Sequence, residues 1–249
     1  MRVIGALMVR DLYTRYGREH LGFLWLMVEP LMITVGVIVL WRLLSGPYMR
    51  DLPIVPLTLL GYIPLHLYGQ MTSGSMHYMR ENSSLLFHRH VTLLDIYLSR
   101  VAVDIIGNML AFFTTYYVLY QLGQLRLPAD LSLLYLGYFY NAWWAAAATA
   151  IIMPLSERSE LVQKFWVPIS LLQGPISGAY VMAQWVPASW RDYYMLWPSV
   201  HGYEMMRAGY FGDNVAQYWS QYYIAFWCAL VTLIGLCILR DTRKYIVFG

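Results

Sequence analysis

Residues 10–30 read RDLYTRYGREHLGFLWLMVEP, and the join inside this stretch decides the fold. A basic, partly amphipathic segment passes through Tyr16-Gly17 and Leu21-Gly22 straight into an apolar run that begins at Trp25 and carries Glu29-Pro30. A soluble domain has little use for a basic collar joined so abruptly to apolar sequence. The collar, residues 1–20, reads as a helix lying on the cytoplasmic membrane surface, and the run as the first membrane-crossing helix. Within the collar Ile4, Leu7, Met8 and Leu12 share one helix face, Arg10 and Arg18 lie away from it, and Arg15 intrudes.

Composition agrees with this reading. The 249 residues are 59% hydrophobic and only 12% charged, whereas globular domains are about 45–50% apolar and about 25% charged. Mean hydropathy is +0.47. No polar stretch is long enough for a second, soluble core, so residues 1–249 form a single membrane domain. The net charge of +3 gives no pointer to nucleic acid. Cys228 and Cys237 fall nine residues apart on opposite faces of the last apolar run, which excludes a disulfide within that helix.

Six segments of at least about 18 apolar-rich residues, the length that crosses a bilayer core, lie at about 23–44, 54–78, 101–123, 132–154, 162–182 and 218–239. The first pair is joined by SGPYMRDLP and the second by GQLRLPAD, both short and rich in turn residues. NAWWAAAATA, residues 141–150, offers small side chains for close helix approach. Residues 79–99 form a longer cytoplasmic loop with helical character at its end. Residues 183–217 form the one large external connection, broken by Pro187 and Pro198 and rich in aromatic residues, and suit short half-buried helices dipping back into the membrane.

The basic residues set the orientation. Of 17 lysines and arginines, only Arg42, Arg50, Arg126, Arg191 and Arg207 fall on the side away from the termini. By the positive-inside rule both termini are cytoplasmic.

The catalytic search returns mostly exclusions. The two lysines, Lys164 and Lys244, sit in no GxxxxGK[ST] context, so this chain does not cradle ATP through a P-loop. Cys–His zinc spacing is absent, and His88 and His90, at i and i+2, would face different ways on a helix. An intramembrane hydrolase built on Ser73 or Ser75 with His66, His77 or His201 is a remote alternative, since small serines at a helix end usually serve packing. Charges near membrane depth are more informative because each is costly unless solvated or paired. Glu29 precedes the helix-bending Pro30, Asp104 lies one turn from Arg100, and Glu204 and Arg207 are spaced to pair at i and i+3. Aromatic side chains near span ends make an interfacial belt, and some could stack on sugar rings along a passage.

Arg15-Tyr16, Leu21-Gly22, Trp25 and Glu29-Pro30 together resemble the membrane subunits of ABC-2 type exporters. Among these they are most similar to the permease of bacterial capsular-polysaccharide export. The external LWPSVHGYEMMRAGYF, with Trp197, Pro198, Glu204 and Arg207, and the cytoplasmic FHRHVTLLD resemble the same family, in register over essentially the whole chain. The resemblance implies an all-α ABC-2 fold of six transmembrane helices with an N-terminal interface helix and external re-entrant helices. It implies a homodimer in the bacterial inner membrane, with two copies of a separate P-loop ATPase that holds ATP and Mg. A lipid-linked polysaccharide would pass along the dimer interface toward periplasmic and outer-membrane partners.

Residue by residue, the likeness assigns Arg10, Arg15, Tyr16, His88, Arg89, Leu93 and Asp95 to ATPase coupling. It assigns Trp25, Glu29, Arg42, Tyr62, Tyr120 and Trp166 to the substrate or channel. Trp197, Pro198, Glu204 and Arg207 would hold the external re-entrant motif. The same fold could carry O-antigen, teichoic acid or another lipid-like cargo.

Overall fold

The computed structural model describes residues 2–16, 22–83 and 91–242, and the side chains at 2, 15, 16, 22–27, 29, 30 and 45 lie outside that description. Among the described residues the fold is helical. In order come α1 (Arg2–Tyr16), α2 (Gly22–Ser45), α3 (Ile54–Ser73), α4 (Tyr78–Glu81), α5 (Leu93–Gln121), α6 (Leu131–Arg158), α7 (Glu160–Ile176), α8 (Ala188–Met195), α9 (Pro198–Phe211) and α10 (Gln221–Thr242). Two tiny strands, β1 (Tyr48–Met49) and β2 (Leu52–Pro53), pair antiparallel between α2 and α3.

Local chemistry sets several boundaries. α5 starts at Leu93, inside the stretch assigned to the cytoplasmic loop, because Thr92 and Asp95 close a capping box there. The Thr92 hydroxyl accepts the Asp95 N–H at 3.2 Å, and the Asp95 carboxylate accepts the Thr92 N–H at 2.9 Å. α6 starts after Asp130, whose carboxylate accepts the Leu133 N–H at 3.1 Å. The Ser132 hydroxyl and that backbone N–H hold the Asp130 carboxyl below the ordinary carboxylate range. α7 stops at Ile176, where the chain turns through Gly178 at φ +97°.

The core lies where α3, α5, α6 and α9 meet, with Leu59, Ile63, Leu67, Met71, Leu134 and Met153 fully enclosed. α6 is central, packing against α3, α9 and α10. Small residues allow that closeness. A Cβ on Gly235 of α10 would sit 2.6 Å from the Ala150 Cβ of α6. The corresponding atom on Gly209 of α9 would lie 2.4 Å from the Leu134 backbone nitrogen.

Outward faces are strongly apolar. Leu161, Phe165, Leu171 and Leu172 of α7 are exposed, as are Leu40 and Leu43 of α2 and Phe226 and Leu233 of α10. Apolar surface of this extent belongs against lipid or another chain. Among the described residues, α5 and α10 are each long and apolar enough to cross a membrane, and Leu31–Leu44 is a shorter apolar segment.

Candidate functional site

Two clusters of polar side chains stand out, one at each end of the bundle. One end is built on α9. All fourteen residues of this helix, Pro198–Phe211, are buried. At 1.5 Å per residue it extends roughly 20 Å, too short to cross a hydrocarbon core of about 30 Å. Neighbouring α8 buries none of its residues. Residues 183–217 therefore contain an exposed helix, α8, and a wholly enclosed one, α9.

Inside α9, Arg207 Nη1 donates to Glu204 Oε1 at 3.1 Å, with the two side chains 1% and 2% exposed. Both also hold the loop that follows α7. Arg207 Nη2 donates to the Ala179 carbonyl at 2.8 Å and Nη1 to the Val181 carbonyl at 3.4 Å. Glu204 accepts the Ala183 N–H at 3.2 Å. Tyr194 adds a hydroxyl bond to the Val181 carbonyl at 2.8 Å, and Ser199 one to the Ser177 carbonyl at 3.0 Å. The same loop presses on α3, since a Cβ on Gly61 would lie 2.1 Å from the Ala179 oxygen. A charge pair buried this deeply is tolerable because two carbonyls and a backbone amide add to its hydrogen bonding, although Arg207 Nε has no partner among the described residues. Trp197 precedes α9 and meets Trp144 edge-on at 6.3 Å, and Pro198 takes the first helical position, where its missing N–H costs nothing.

At the opposite end the hub is α4. The Tyr78 hydroxyl donates to Asp11 Oδ1 of α1 at 2.8 Å. The Arg100 guanidinium of α5 lies 5.0 Å from the Tyr78 ring while its Nε donates to Asp104 at 2.8 Å. Arg10 of α1 reaches Asn82 at 2.9 Å. The Arg80 N–H donates to Glu157 of α6 at 3.1 Å. One short helix thus ties α1, α5 and α6 together.

A third feature is a groove of about 390 Å³ between α3 and α7, lined among others by Tyr62, His66, Gln70, Ser170 and Tyr180. Tyr62 and His66 stand on one face of α3 with ring centres 6.1 Å apart.

These positions sort the residues singled out from sequence. Glu204 and Arg207 form the buried pair, and Arg10 joins the α4 hub. Leu93 is core, and the Asp95 carboxylate is engaged in its own helix cap. Arg42 and Tyr62 line different cavities, and Tyr120, exposed on α5, and Trp166, half-buried on α7, line neither. The Trp166 indole N–H has no hydrogen-bond partner among the described residues. His88 and Arg89 lie outside the described residues, as do the side chains of Arg15, Tyr16, Trp25 and Glu29.

Sequence reasoning missed Asp11 and Tyr78. The available signal was an acid inside a basic collar. A serine–histidine centre is not assembled from His201, whose ring nitrogens face the Met195 carbonyl and the Ser220 N–H at 2.9 Å each. Ser75 donates to the Thr72 carbonyl at 3.0 Å, and Ser73 lies 3.5 Å from Ser170. Cys228 is buried, Cys237 is exposed, and both are free.

A helical bundle with apolar flanks and enclosed ion pairs at both ends has the architecture of an all-α membrane protein. No protein-family model matches the chain. It is 34% identical over 243 residues to the capsule polysaccharide export inner-membrane protein CtrC of Neisseria meningitidis serogroup B, covering 98% of this chain and 92% of that one. It is 31% identical over 243 residues to BexB of Haemophilus influenzae, a protein of the same description, with the same coverage. The polysialic acid transport protein KpsM of Escherichia coli is 22% identical over 247 residues, 97% of this chain and 93% of that one. The chain belongs to the family of capsule polysaccharide export inner-membrane proteins.

Proposed function

We propose that this chain is the membrane-spanning permease subunit of an ATP-driven exporter that carries lipid-linked capsular polysaccharide across the bacterial inner membrane. The observation that carries the proposal is the near full-length likeness to CtrC and BexB, which are named for capsule polysaccharide export. The absence of a P-loop in this sequence supports a separate ATPase subunit, two copies serving a homodimer. That partner binds ATP and Mg.

In this reading the chain crosses the membrane six times with both termini cytoplasmic. The exposed apolar faces of α2 and α7 suit lipid and a second copy of the chain. The groove holding Tyr62, His66 and Gln70 opens beside α7, and ring faces and hydroxyls of this kind suit sugar rings in transit. The α4 hub gives ATPase motion a rigid input, because displacing α4 pulls on α1, α5 and α6 through Asp11, Arg100 and Glu157. The buried Glu204–Arg207 pair holds the opposite end.

The test is a pull-down of the tagged full chain from native membranes, with wild type and Arg89→Glu compared. Co-purification of a stoichiometric P-loop ATPase, reduced in the variant, is the expected outcome. A chain that purifies without any nucleotide-hydrolysing partner would overturn the exporter reading. Restoration of surface capsule in a strain lacking the chain reports the cargo.

A further inference from the structure

At the end of the bundle that carries α9, a cavity of about 860 Å³ opens between the β1–β2 hairpin, the last turn of α2 and the loop joining α5 to α6. Three arginines line it, one from each element: Arg42, Arg50 and Arg126. Asp51 is the single carboxylate among its lining residues, so the charge facing the cavity is three positive against one negative. Neither Arg42 nor Arg126 has a side-chain hydrogen bond or ion pair among the described residues. Arg50 is held in place instead, its Nη1 3.3 Å from the Trp185 carbonyl and its guanidinium 5.4 Å from the Trp185 ring. Tyr48, Tyr210 and Phe211 supply aromatic wall.

The hairpin is unusual in a way that favours a role for its side chains. Met49 pairs with Leu52, leaving Arg50 and Asp51 as a two-residue loop with φ of +49° and +70°. Loops of this twist favour Asn-Gly or Gly-Gly, because a side chain in the left-handed region is strained. Strain retained at a rim is a mark of a side chain with work to do there. Arginines from three elements place like charge around one cavity, and an anion offsets it.

We propose that this cavity binds an anionic group, a carboxylate or phosphate, with Arg42 and Arg126 as direct donors and Arg50 as the fixed rim contact. The group could be carried by an acidic saccharide or by a phospholipid headgroup. The cavity volume falls in the range of small-molecule sites, roughly 300–1,000 Å³, and the aromatic wall favours the saccharide. Only the saccharide's biological source rests on the export reading, and binding is measurable without export.

The full chain in phosphatidylcholine nanodiscs would be titrated with a fluorescent sialic acid oligomer at low and high salt. Native mass spectrometry would compare retention of phosphatidylglycerol. The wild type is expected to bind the oligomer in a salt-dependent manner, with Arg42→Gln/Arg126→Gln weakening it by roughly tenfold or more, as loss of charge-assisted hydrogen bonds implies. Arg50→Gly is expected to weaken binding while holding or raising the melting temperature, since glycine suits the left-handed turn. A merely structural Arg50 would leave binding unchanged.

Phosphatidylglycerol retained by the wild type and lost from the double variant, with no oligomer binding, would assign the site to a lipid headgroup. Equal binding of both probes to wild type and variants, or binding of neither, would overturn the inference. Such a result beside normal ATPase capture and capsule export would leave the proposed function standing. Loss of ATPase capture with anion binding intact would do the reverse.

Discussion

Helices α7 and α9 each carry a glutamate and a cation one turn apart, and the fold treats them in opposite ways. Glu160 and Lys164 of α7 meet at 3.5 Å with side chains 82% and 70% exposed. Glu204 and Arg207 of α9 meet at 3.1 Å and are enclosed. Gln173 and Gly174 are the buried residues of α7, whereas α9 is buried from end to end. Spacing alone gives both pairs the same standing, and burial separates them. An exposed pair is screened by water and contributes little, while a buried pair becomes part of the framework because neither member can be removed without stranding the other. α9 is thus the keystone of its end of the molecule, and α7 offers a surface to something outside it.

This contrast is broken most directly at Arg207. Arg207→Met leaves Glu204 buried beside an apolar side chain and is expected to cost about 3–5 kcal/mol, as for other broken buried pairs. Thermal melting in detergent measures it, and adding Glu204→Leu is expected to recover much of the loss. A single variant that melts like the wild type would remove α9 from its keystone place.

The next largest effect is expected from Gly209→Ala. Its Cβ would sit 2.4 Å from the Leu134 nitrogen and 2.8 Å from the Asp130 oxygen. Forcing α9 from α6 in this way costs about 1–3 kcal/mol, read from the same melts.

A smaller change tests the other end. Tyr78→Phe deprives the buried Asp11 of its 2.8 Å donor, at about 1–2 kcal/mol for a buried acceptor losing a partner. Faster hydrogen exchange confined to residues 2–16 is the expected signature. Uniform acceleration across the bundle would show that α4 is not a local hub.

Lys164→Ala sets the floor. With its partner exposed, the loss is expected to stay below about 0.5 kcal/mol, and a larger drop would mean that this face of α7 is covered in the assembled protein.

Several features were legible in the sequence for local reasons. The i, i+3 and i, i+4 spacings of Glu204–Arg207 and Arg100–Asp104 are properties of any helix containing them, and both pairs are formed. The small residues of 141–150 give α6 its close neighbours, with Ala150 against Gly235. The residues assigned to a channel were less legible. Arg42 and Tyr62 read as companions in sequence, yet they line separate cavities at different levels of the bundle. Asp95, assigned to ATPase coupling, also closes a helix cap that only its three-residue spacing to Thr92 announced.

The sequence by itself determined that this is an apolar, helical, membrane-type chain with a basic collar, because hydrophobicity and helical periodicity are summed over neighbours along the chain. Tertiary structure alone decided which helix of residues 183–217 is enclosed. It also made Asp11, Tyr78 and Arg100 one cluster, and brought Arg42, Arg50 and Arg126 to one cavity. Those outcomes depend on contacts between residues tens of positions apart, and burial, which sets the worth of every charge here, exists only once the helices have packed.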